Sequence, residues 1–376
     1  GVIFGVLVCV TVLPSMILCC DKLIEKTKHK PLLPDIGRIS DKVTKRYVIY
    51  VVAFVILLFP AIYGNNHTGV DESLPKDLPS VIANTKLKED YNMNTTHMIL
   101  VDSSVAGSDV KKMSQEIEKV DGVKWVLGLD NLVGSGVPAD MLPESVTGML
   151  KNDKYQLLMV NSTYKVATDK VNKQIEQIDK IMDKYDKGAM LVGEGPLTKD
   201  LINITDTDFK RVSAVSIGIV FVIILLLFKS VTIPVILVGV IEFAIFVNMG
   251  IPFYTGTKLP FVASIVIGTI QLGATVDYAI LMTTRYQRER SRGAGKFDAI
   301  TTAHKFSAQS IIVSALSFFA ATIGVGLYSN IDMISSLCIL MARGALISMV
   351  VVVLILPSLF MVFDKIIVKT SKGFRP

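Results

Sequence analysis

Long apolar blocks, separated by shorter charged segments, dominate the pattern of hydrophobic and polar positions along the chain. A run of about 17 to 25 apolar residues is long enough to cross a ~30 Å hydrocarbon core as a helix. The pattern predicts spans at 1–19, 46–63, 211–228, 231–251, 259–283, 307–328 and 334–363. The last of these is long enough to include a short surface helix before Arg343. Backbone groups in lipid must pair within their own segment, so each span is predicted to be helical.

The segment from Gly64 to Asp208 departs from this pattern, because short apolar runs alternate there with amphipathic runs. The periodicity predicts strands at 97–102, 123–127, 156–160 and 190–192, helices at 108–120 and 171–185, and a Gly/Pro-rich loop at 134–143. The order β-α-β-β-α-β is that of a ferredoxin-like sandwich. The predicted fold is therefore an α-helical transmembrane bundle that carries an extracytoplasmic α+β ferredoxin-like domain.

The two ends of the chain match each other at a constant offset of 343 residues. The tripeptide Leu-Pro-Ser at 13–15 recurs at 356–358, and Asp21 corresponds in the same register to Asp364. This match predicts a tandem duplication in which residues 1–19 are the last span of a preceding repeat. Internal repeats of span bundles are typical of transporter folds.

Composition narrows the class of protein further. Hydrophobic residues make up 51% of the chain and charged residues only 19%. The cysteines lie in or beside apolar runs without the spacing of a metal or disulfide framework, so they are predicted to be small apolar residues in helices. His67 and His97 are isolated and are predicted to be ordinary surface or turn residues. No nucleophile, metal or paired-carboxylate site is indicated, so neither an enzyme nor a cofactor is expected.

The distribution of charge predicts the orientation of the spans. The loops at 20–46 and 284–306 and the tail at 364–376 are basic, and all three fall on one side if every span is real. The positive-inside rule assigns that side to the cytoplasm. The segment 64–208 then lies outside, with 16 basic and 23 acidic residues and a net charge of −7. The basic excess elsewhere indicates topology and contact with membrane lipids, and it does not indicate nucleic-acid binding.

Ionisable and polar residues interrupt the predicted spans. Asp277 lies in the fifth span next to Tyr278, Glu242 lies in the fourth, and Gln271 precedes Asp277 by less than two turns. A carboxylate in the membrane must face the bundle or water, and such residues often belong to proton relays. A structural, hydrogen-bonded role for Asp277 stays open. Glu242 could instead face a headgroup or an outer water pocket, and an interhelical hydrogen bond is the favoured role of Gln271.

A stripe of small residues in the sixth span offers a facing surface for these groups. Ser310, Ser314 and Ser317 are followed by Ala321 and Gly324 at helical spacing. Such a stripe allows close helix packing and places hydroxyls beside a polar neighbour. Packing alone would also account for it.

Four groups of residues resemble those of a known family. The groups are Gln271–Leu281 with Arg285, Gly193–Pro196 with Asp200 and Asp208, Phe228–Ser230, and Ala342–Gly344 with Leu356 and Pro357. In this arrangement the chain resembles the resistance-nodulation-division (RND) superfamily, in particular its MMPL branch of Gram-positive bacteria. The resemblance extends from one end of the chain to the other, and its most specific element is the Asp277-Tyr278 pair.

The resemblance implies a division of the chain and a function. Residues 20–46 would be a cytoplasmic loop, 47–63 a span, 64–208 an extracytoplasmic porter domain, 209–363 a five-span bundle and 364–376 a cytoplasmic tail. The family implies a bacterial plasma-membrane transporter that uses protons as the coupling ion to export lipids, drugs or other hydrophobic or amphiphilic substrates. Asp277 and Tyr278 would form its proton relay.

The family has two such halves, so the chain corresponds to the C-terminal half plus one span. Its expected partner is the missing N-terminal half or a second copy. The alternative is a membrane scaffold, sensor or protein-translocation accessory subunit that resembles RND proteins but does not transport. In that case the Asp277 carboxylate would be structural.

Overall fold

The computed structural model describes residues 2–27, 37–71, 79–129, 144–260 and 263–374. The helices are α1 (Val2–Leu7), α2 (Leu13–Lys26), α3 (Gly37–Lys45), α4 (Tyr47–His67), α5 (Pro79–Tyr91), α6 (Gly107–Ile117), α7 (Glu144–Leu150), α8 (Asp169–Tyr185), α9 (Glu194–Phe228), α10 (Thr232–Thr255), α11 (Ala263–Ser291), α12 (Lys296–Tyr328) and α13 (Asp332–Thr370). The strands are β1 (Val70–Asp71), β2 (Thr95–Asp102), β3 (Val123–Leu127), β4 (Tyr155–Ser162), β5 (Met190–Gly193) and β6 (Leu259–Pro260). The predicted loop at 134–143 lies outside the described residues.

Within the described ranges, 7 helical segments are long and apolar enough to cross a membrane. The first joins α1 and α2 through a π-helical turn at Val8–Val12, and the others are α4 and α9 to α13. The α/β domain between α4 and α9 marks one side of this bundle, here called the domain side. The opposite side carries the basic loops and is called the basic side.

The spans differ from the predicted bounds mainly in length. Helix α9 begins at Glu194 rather than near 211, so one continuous helix leaves the α/β domain and enters the membrane. Helix α12 begins at Lys296 rather than near 307, because its first turns are amphipathic rather than apolar. The suggestion of a separate short surface helix before Arg343 was wrong, because α13 runs without a break from Asp332 to Thr370.

The α/β domain is a four-stranded sheet with two helices packed against it. The strand order is β3-β4-β2-β5, and all neighbouring strands are antiparallel. Strands β2 and β4 alternate buried and less buried residues, as expected for a sheet with one covered face. Helices α6 and α8 bury their apolar stripes against that face, including Ile117 and Ile178. The elements found by periodicity in this segment are therefore confirmed, with bounds shifted by a few residues.

His97 is not the surface or turn residue that was expected. It lies in β2 and is fully buried, while His67 at the end of α4 is exposed as expected. The Nε2 atom of His97 donates to Gln174 Oε1 at 3.4 Å, and Nδ1 has no hydrogen-bond partner. A Cβ atom added to Gly195 would lie 2.6 Å from the His97 ring. The imidazole is thus enclosed at the junction between the sheet and α9.

This burial predicts a pH dependence of the α/β domain. Burial lowers the pKa of His97 below its ordinary value of 6.5, and the Gln174 hydrogen bond opposes this shift less strongly. As pH falls below about 6.5 the unfolded chain takes up a proton that the folded domain resists, so its free energy of unfolding decreases. Thermal unfolding at pH 7.5 and 5.5 should show this loss in the wild type and a smaller one in His97→Gln. The exposed matched control, His67→Gln, should keep the full pH dependence; equal losses in all three proteins would contradict the assignment.

Close helix contacts and two buried hydrophobic clusters hold the bundle together. The larger cluster combines side chains of α4 and α9 to α13, among them Phe243, Tyr286 and Phe360, and the smaller one includes Ile241 and Leu272. Gly64 of α4 and Gly250 of α10 meet directly, since a Cβ atom on Gly64 would lie 2.8 Å from the Gly250 carbonyl oxygen. Strands β1 and β6 pair in parallel beside this contact and connect the end of α4 to the segment before α11. Backbones that approach this closely are typical of membrane helices with small residues at their interface.

The amphipathic helix α3 is fixed to the basic side of the bundle by a buried histidine. Ser40 of α3 and His304 of α12 are both fully buried, and Ser40 Oγ lies 2.7 Å from His304 Nδ1. His304 Nε2 donates to the carbonyl oxygen of Val353 at 3.0 Å, so Nδ1 must accept from the serine hydroxyl. Lys42 and Lys45 remain exposed on the other face of α3.

Candidate functional site

Asp277 lies on α11 and is exposed, in an open groove between α11 and α12. The groove has a volume of about 460 Å³ and is lined by Asp277, Ile280, Leu281, Thr284, Arg285, Arg288, Phe306 and Ser307. Among the described residues, Asp277 has no hydrogen-bond or ion-pair partner. The Arg285 guanidinium instead stacks over the Phe306 ring at 4.8 Å. Asp277 therefore presents a free carboxylate to the surroundings of the bundle at the depth of the spans.

Tyr278 points away from the groove of Asp277 and into the bundle. It is 6% exposed and belongs to the bundle core. Successive helix positions are about 100° apart, so neighbouring side chains diverge. Tyr278 borders a cavity of about 10 Å³ with Gln271, Thr275 and Ser348. That volume is close to the smallest that holds one water molecule. The two members of the expected relay thus lie on different surfaces of α11.

The serine stripe borders the same open face as Asp277. Ser310, Ser314 and Ser317 of α12 are all exposed. Ser307 continues the stripe into the Asp277 groove, and Ser317 Oγ donates to the carbonyl oxygen of Val313 in its own helix at 2.8 Å. On α11, a Cβ atom added to Gly273 would meet nothing within 4 Å. Small side chains and one carboxylate therefore cover a face to which no described element packs.

Glu242 lies in a separate cavity on the domain side of the bundle. This cavity has a volume of about 430 Å³ and lies between α4, α9, α10 and α11. Its polar lining consists of Asn65, Thr68, Lys210, Ser213, Ser216, Glu242 and Thr269, and its apolar lining of Phe209, Ile217, Ile245, Phe246, Met249, Leu259 and Leu272. Polar groups thus share the cavity with a larger apolar surface. The structure does not bring Glu242 into the Asp277 groove.

Gln271 takes part in a buried hydrogen-bond network across three helices. Asn248 Nδ2 of α10 donates to Gln271 Oε1 at 2.8 Å, and Gln271 Nε2 donates to Ser348 Oγ at 3.1 Å. The hydroxyl of Thr275 reaches Ser348 Oγ at 2.7 Å. Arg343 of α13 completes the network, because its Nε donates to Asn248 Oδ1 at 2.8 Å and its guanidinium also donates to the Asn248 carbonyl oxygen at 2.7 Å.

The sequence predicted only part of this network. It favoured an interhelical hydrogen bond for Gln271, but it did not reveal the contact of Asn248 with Arg343, which lies within α13. Gly344 permits the close approach, since a Cβ atom there would lie 2.7 Å from Asn248 Nδ2 and 2.8 Å from Gln271 Oε1. The available signal was Arg343 itself, because a charged residue within an apolar span pairs with polar partners.

The described residues contain no group of three or more His, Cys, Asp or Glu side chains placed to hold a metal ion. The polar groups described in the spans include the carboxylates of Asp277 and Glu242, the His304 imidazole, hydroxyls, amides and guanidinium groups. They can exchange protons and bind polar headgroups.

Comparison with known proteins identifies the family. The model of the MMPL family matches residues 73–373. The chain belongs to the MMPL family. Members of this family are membrane transport proteins rather than enzymes, and the matching chain with its apolar helices is a multi-pass membrane protein.

Three relatives illustrate how MMPL proteins compare in length. The membrane protein YdgH of Bacillus subtilis is 23% identical over 67% of this chain and 28% of its own length. The trehalose monomycolate exporter MmpL3 of Mycolicibacterium smegmatis is 23% identical over 75% of this chain and 29% of its own length. The membrane protein MJ1562 of Methanocaldococcus jannaschii is 22% identical over 92% of this chain and 97% of its own length. The aligned part of the chain thus covers less than a third of the full length of the first two relatives.

Proposed function

We propose that this MMPL protein is half of a transporter that exports lipids, drugs or other amphiphiles in exchange for protons. The observation that carries the proposal is the Asp277 carboxylate, exposed in a groove at the depth of the spans without a partner among the described residues. A carboxylate in a span is costly to maintain and is typically functional. Each proton that crosses the bilayer supplies ~2.3 kcal/mol per 100 mV, enough to drive a substrate against its gradient.

The proton pathway combines the groove with the buried network. Asp277 takes up a proton from the open face of α11. Tyr278 borders the small cavity that adjoins Gln271, Thr275 and Ser348, whose hydrogen bonds run toward Asn248 on the domain side. A water molecule in that cavity would connect the phenol to the network. In this pathway Gln271 acts as a hydrogen-bond relay, and Ser310, Ser314 and Ser317 border the groove.

The cavity around Glu242 fits the class of substrate. An amphiphile needs a polar region for its headgroup and an apolar wall for its chain, and this cavity provides both. It opens beneath the α/β domain, between α9 and α11. We assign headgroup contact to Glu242 and Lys210, and chain contact to Phe246 and Leu272. The relative MmpL3 of Mycolicibacterium smegmatis is a trehalose monomycolate exporter, which supports export as the direction.

The α/β domain is proposed to be the extracytoplasmic porter domain. Its elements follow one another as β-α-β-β-α-β, and the strand order β5-β2-β4-β3 suits a ferredoxin-like sandwich. The charge of the loops supports its location outside the cell, with the basic side of the bundle in the cytoplasm.

A second unit is proposed to cover the open face. Asp277 and the serine stripe lie on a surface to which no described element packs, and helix α2 is likewise exposed along its length. The offset of 343 residues between Asp21 and Asp364 supports a partner built like this chain. That partner is a preceding half or a second copy.

Flux measurements in vesicles test the proposed function. Vesicles that contain the protein and a fluorescent lipid analogue should release the analogue when a pH gradient is imposed. Release of the analogue should stop when a protonophore collapses the gradient. A release rate that is the same with and without the gradient would favour a scaffold or sensor.

A large side chain introduced into the cavity around Glu242 should weaken substrate binding, whereas the same side chain outside the cavity should not. Replacing Ser216 with Trp puts a large side chain into the cavity and should lower affinity for the lipid analogue about tenfold. Val215→Trp is the matched control, because Val215 is 60% exposed and does not line the cavity. Fluorescence titration gives the affinities. Equal affinities of both variants and the wild type would exclude this cavity as the substrate site.

A further inference from the structure

A second groove crosses the bundle on a face that the proposed transport function does not use. It lies between α4, α10 and α13 and has a volume of about 380 Å³. Its lining is Tyr50, Ala53, Leu57, Phe243, Val247, Leu346, Ile347, Val350, Val351, Leu354 and Ile355. Apart from the Tyr50 hydroxyl, these side chains are wholly apolar. An occupant must therefore be a hydrocarbon chain rather than a polar molecule.

The depth of the groove limits the occupant to one leaflet. Helix α4 enters the membrane from the basic side at Tyr47, and the groove follows it from Tyr50 to Leu57. That stretch is about 10 Å long at 1.5 Å per residue, within the ~15 Å of a single leaflet. The deep end is formed by Phe243 and Val247, near the middle of α10. The groove thus extends from the basic side to about the bilayer centre.

Basic side chains are concentrated at the basic-side end of α4, where the groove begins. Arg46 caps α4 and precedes Tyr50 by four positions, so Arg46, Tyr50, Ala53 and Leu57 follow one stripe of the helix. Arg46 is exposed, as are Lys42 and Lys45 on the adjoining helix α3. Asp41 is the single acidic residue of α3. Positive charge at the end of an apolar groove complements an anionic headgroup on an acyl chain.

The buried Ser40–His304 hydrogen bond keeps this charge in place. It joins α3 to α12, and His304 in turn binds the carbonyl oxygen of Val353 on α13. Val353 is next to Leu354, which lines the groove. Helix α3 is therefore linked through His304 to α13, the helix that forms one wall of the groove, so the lysine-bearing helix stays on this side of the bundle.

We propose that this groove is a binding site for an anionic phospholipid of the cytoplasmic leaflet. One acyl chain occupies the space between α4, α10 and α13. The phosphate accepts hydrogen bonds from Arg46 and the Tyr50 hydroxyl, and Lys42 and Lys45 add electrostatic attraction. Each basic residue near a membrane surface contributes ~1 kcal/mol toward anionic lipid, which corresponds to about a fivefold change in binding. This site does not depend on the proposed transport function.

Lipid retention by the full chain tests the site. The protein is reconstituted into vesicles of equal parts phosphatidylglycerol and phosphatidylcholine, extracted with mild detergent, and its bound lipids are quantified by mass spectrometry. The wild type should retain phosphatidylglycerol several-fold over phosphatidylcholine. Arg46→Gln should lower the retained phosphatidylglycerol about fivefold. Lys365→Gln is the matched control, since Lys365 is exposed on the basic side away from the groove.

A second pair of variants tests the acyl-chain part of the site. Ala53→Trp fills the groove and should lower retained phosphatidylglycerol at least as much as Arg46→Gln. Val52→Trp adds the same side chain about 100° around α4, where Val52 is 50% exposed and does not line the groove, and should retain lipid normally. Val350→Trp fills the groove from α13 if Ala53→Trp does not fold. Retention in proportion to the vesicle composition, or unchanged retention in the groove-filling variants, would overturn the proposal.

Discussion

Replacing Asp277 with Asn is expected to abolish substrate accumulation driven by a pH gradient while leaving the fold intact. Asn has nearly the same shape but cannot take up and release a proton. If one proton moves per substrate, a gradient of one pH unit supports about a tenfold substrate gradient. Asp277→Asn should support no substrate gradient. Folding should be unaffected, because Asp277 is exposed and has no hydrogen-bond partner among the described residues.

The measurement is flux of a fluorescent lipid analogue in vesicles, with thermal unfolding and helical circular dichroism as controls for folding. Thr284→Val is the matched variant, since Thr284 lines the same groove without a titratable group. It should retain flux. If Asp277→Asn transports like the wild type, Asp277 is not the coupling residue. If Asp277→Asn unfolds instead, the carboxylate is structural, as the scaffold hypothesis requires.

Replacing Asn248 with Leu is expected to cause a large loss of stability of the bundle. Asn248 is fully buried and holds the Arg343 guanidinium through its side chain. Its removal leaves a positive charge in the spans with fewer hydrogen bonds and also frees Gln271 Oε1. Loss of a hydrogen bond to a charged group costs ~2–3 kcal/mol. Thermal unfolding in detergent should therefore show a markedly lower midpoint.

A double-mutant cycle distinguishes the interaction between Asn248 and Arg343 from a general loss of packing. Arg343→Met removes the charge, so Asn248→Leu combined with Arg343→Met leaves no unpaired guanidinium. Replacing both members of a buried polar pair by apolar side chains is often nearly neutral. The double variant should therefore be more stable than Asn248→Leu alone. If the two losses simply add, Asn248 and Arg343 are not coupled.

Hydrophobic pattern was sufficient to predict the spans, because length and apolarity decide which helices can cross a bilayer. It failed at helix ends that continue beyond the lipid. The first turns of α9 and α12 are polar on one side. The hydrophobic pattern therefore placed the start of each helix at the membrane surface, although each helix begins several turns earlier. It also failed at His97, since an isolated polar residue within an apolar strand gives no sign of which face it occupies.

The candidate site was predicted as a set of residues but not as an arrangement. Asp277 and Glu242 both interrupt apolar spans, yet they lie in different cavities, because sequence alone does not tell which faces of two helices meet. The divergence of Asp277 and Tyr278 was predictable in principle from the helical angle between neighbours. The pairing of Asn248 with Arg343 was not, since those residues are separated by two helices.

The continuous helix α9 has a mechanical consequence. It runs from Glu194 beside the sheet to Phe228 at the far end of its span, and it contains no proline after its first turn. Proline is a common cause of sharp kinks, so we expect α9 to transmit a tilt of the domain along its length. A tilt of about 10° in the α/β domain displaces a point ~30 Å along this helix by about 5 Å. Because α9 forms one wall of the Glu242 cavity, a rocking motion outside the membrane changes the width of that cavity inside it.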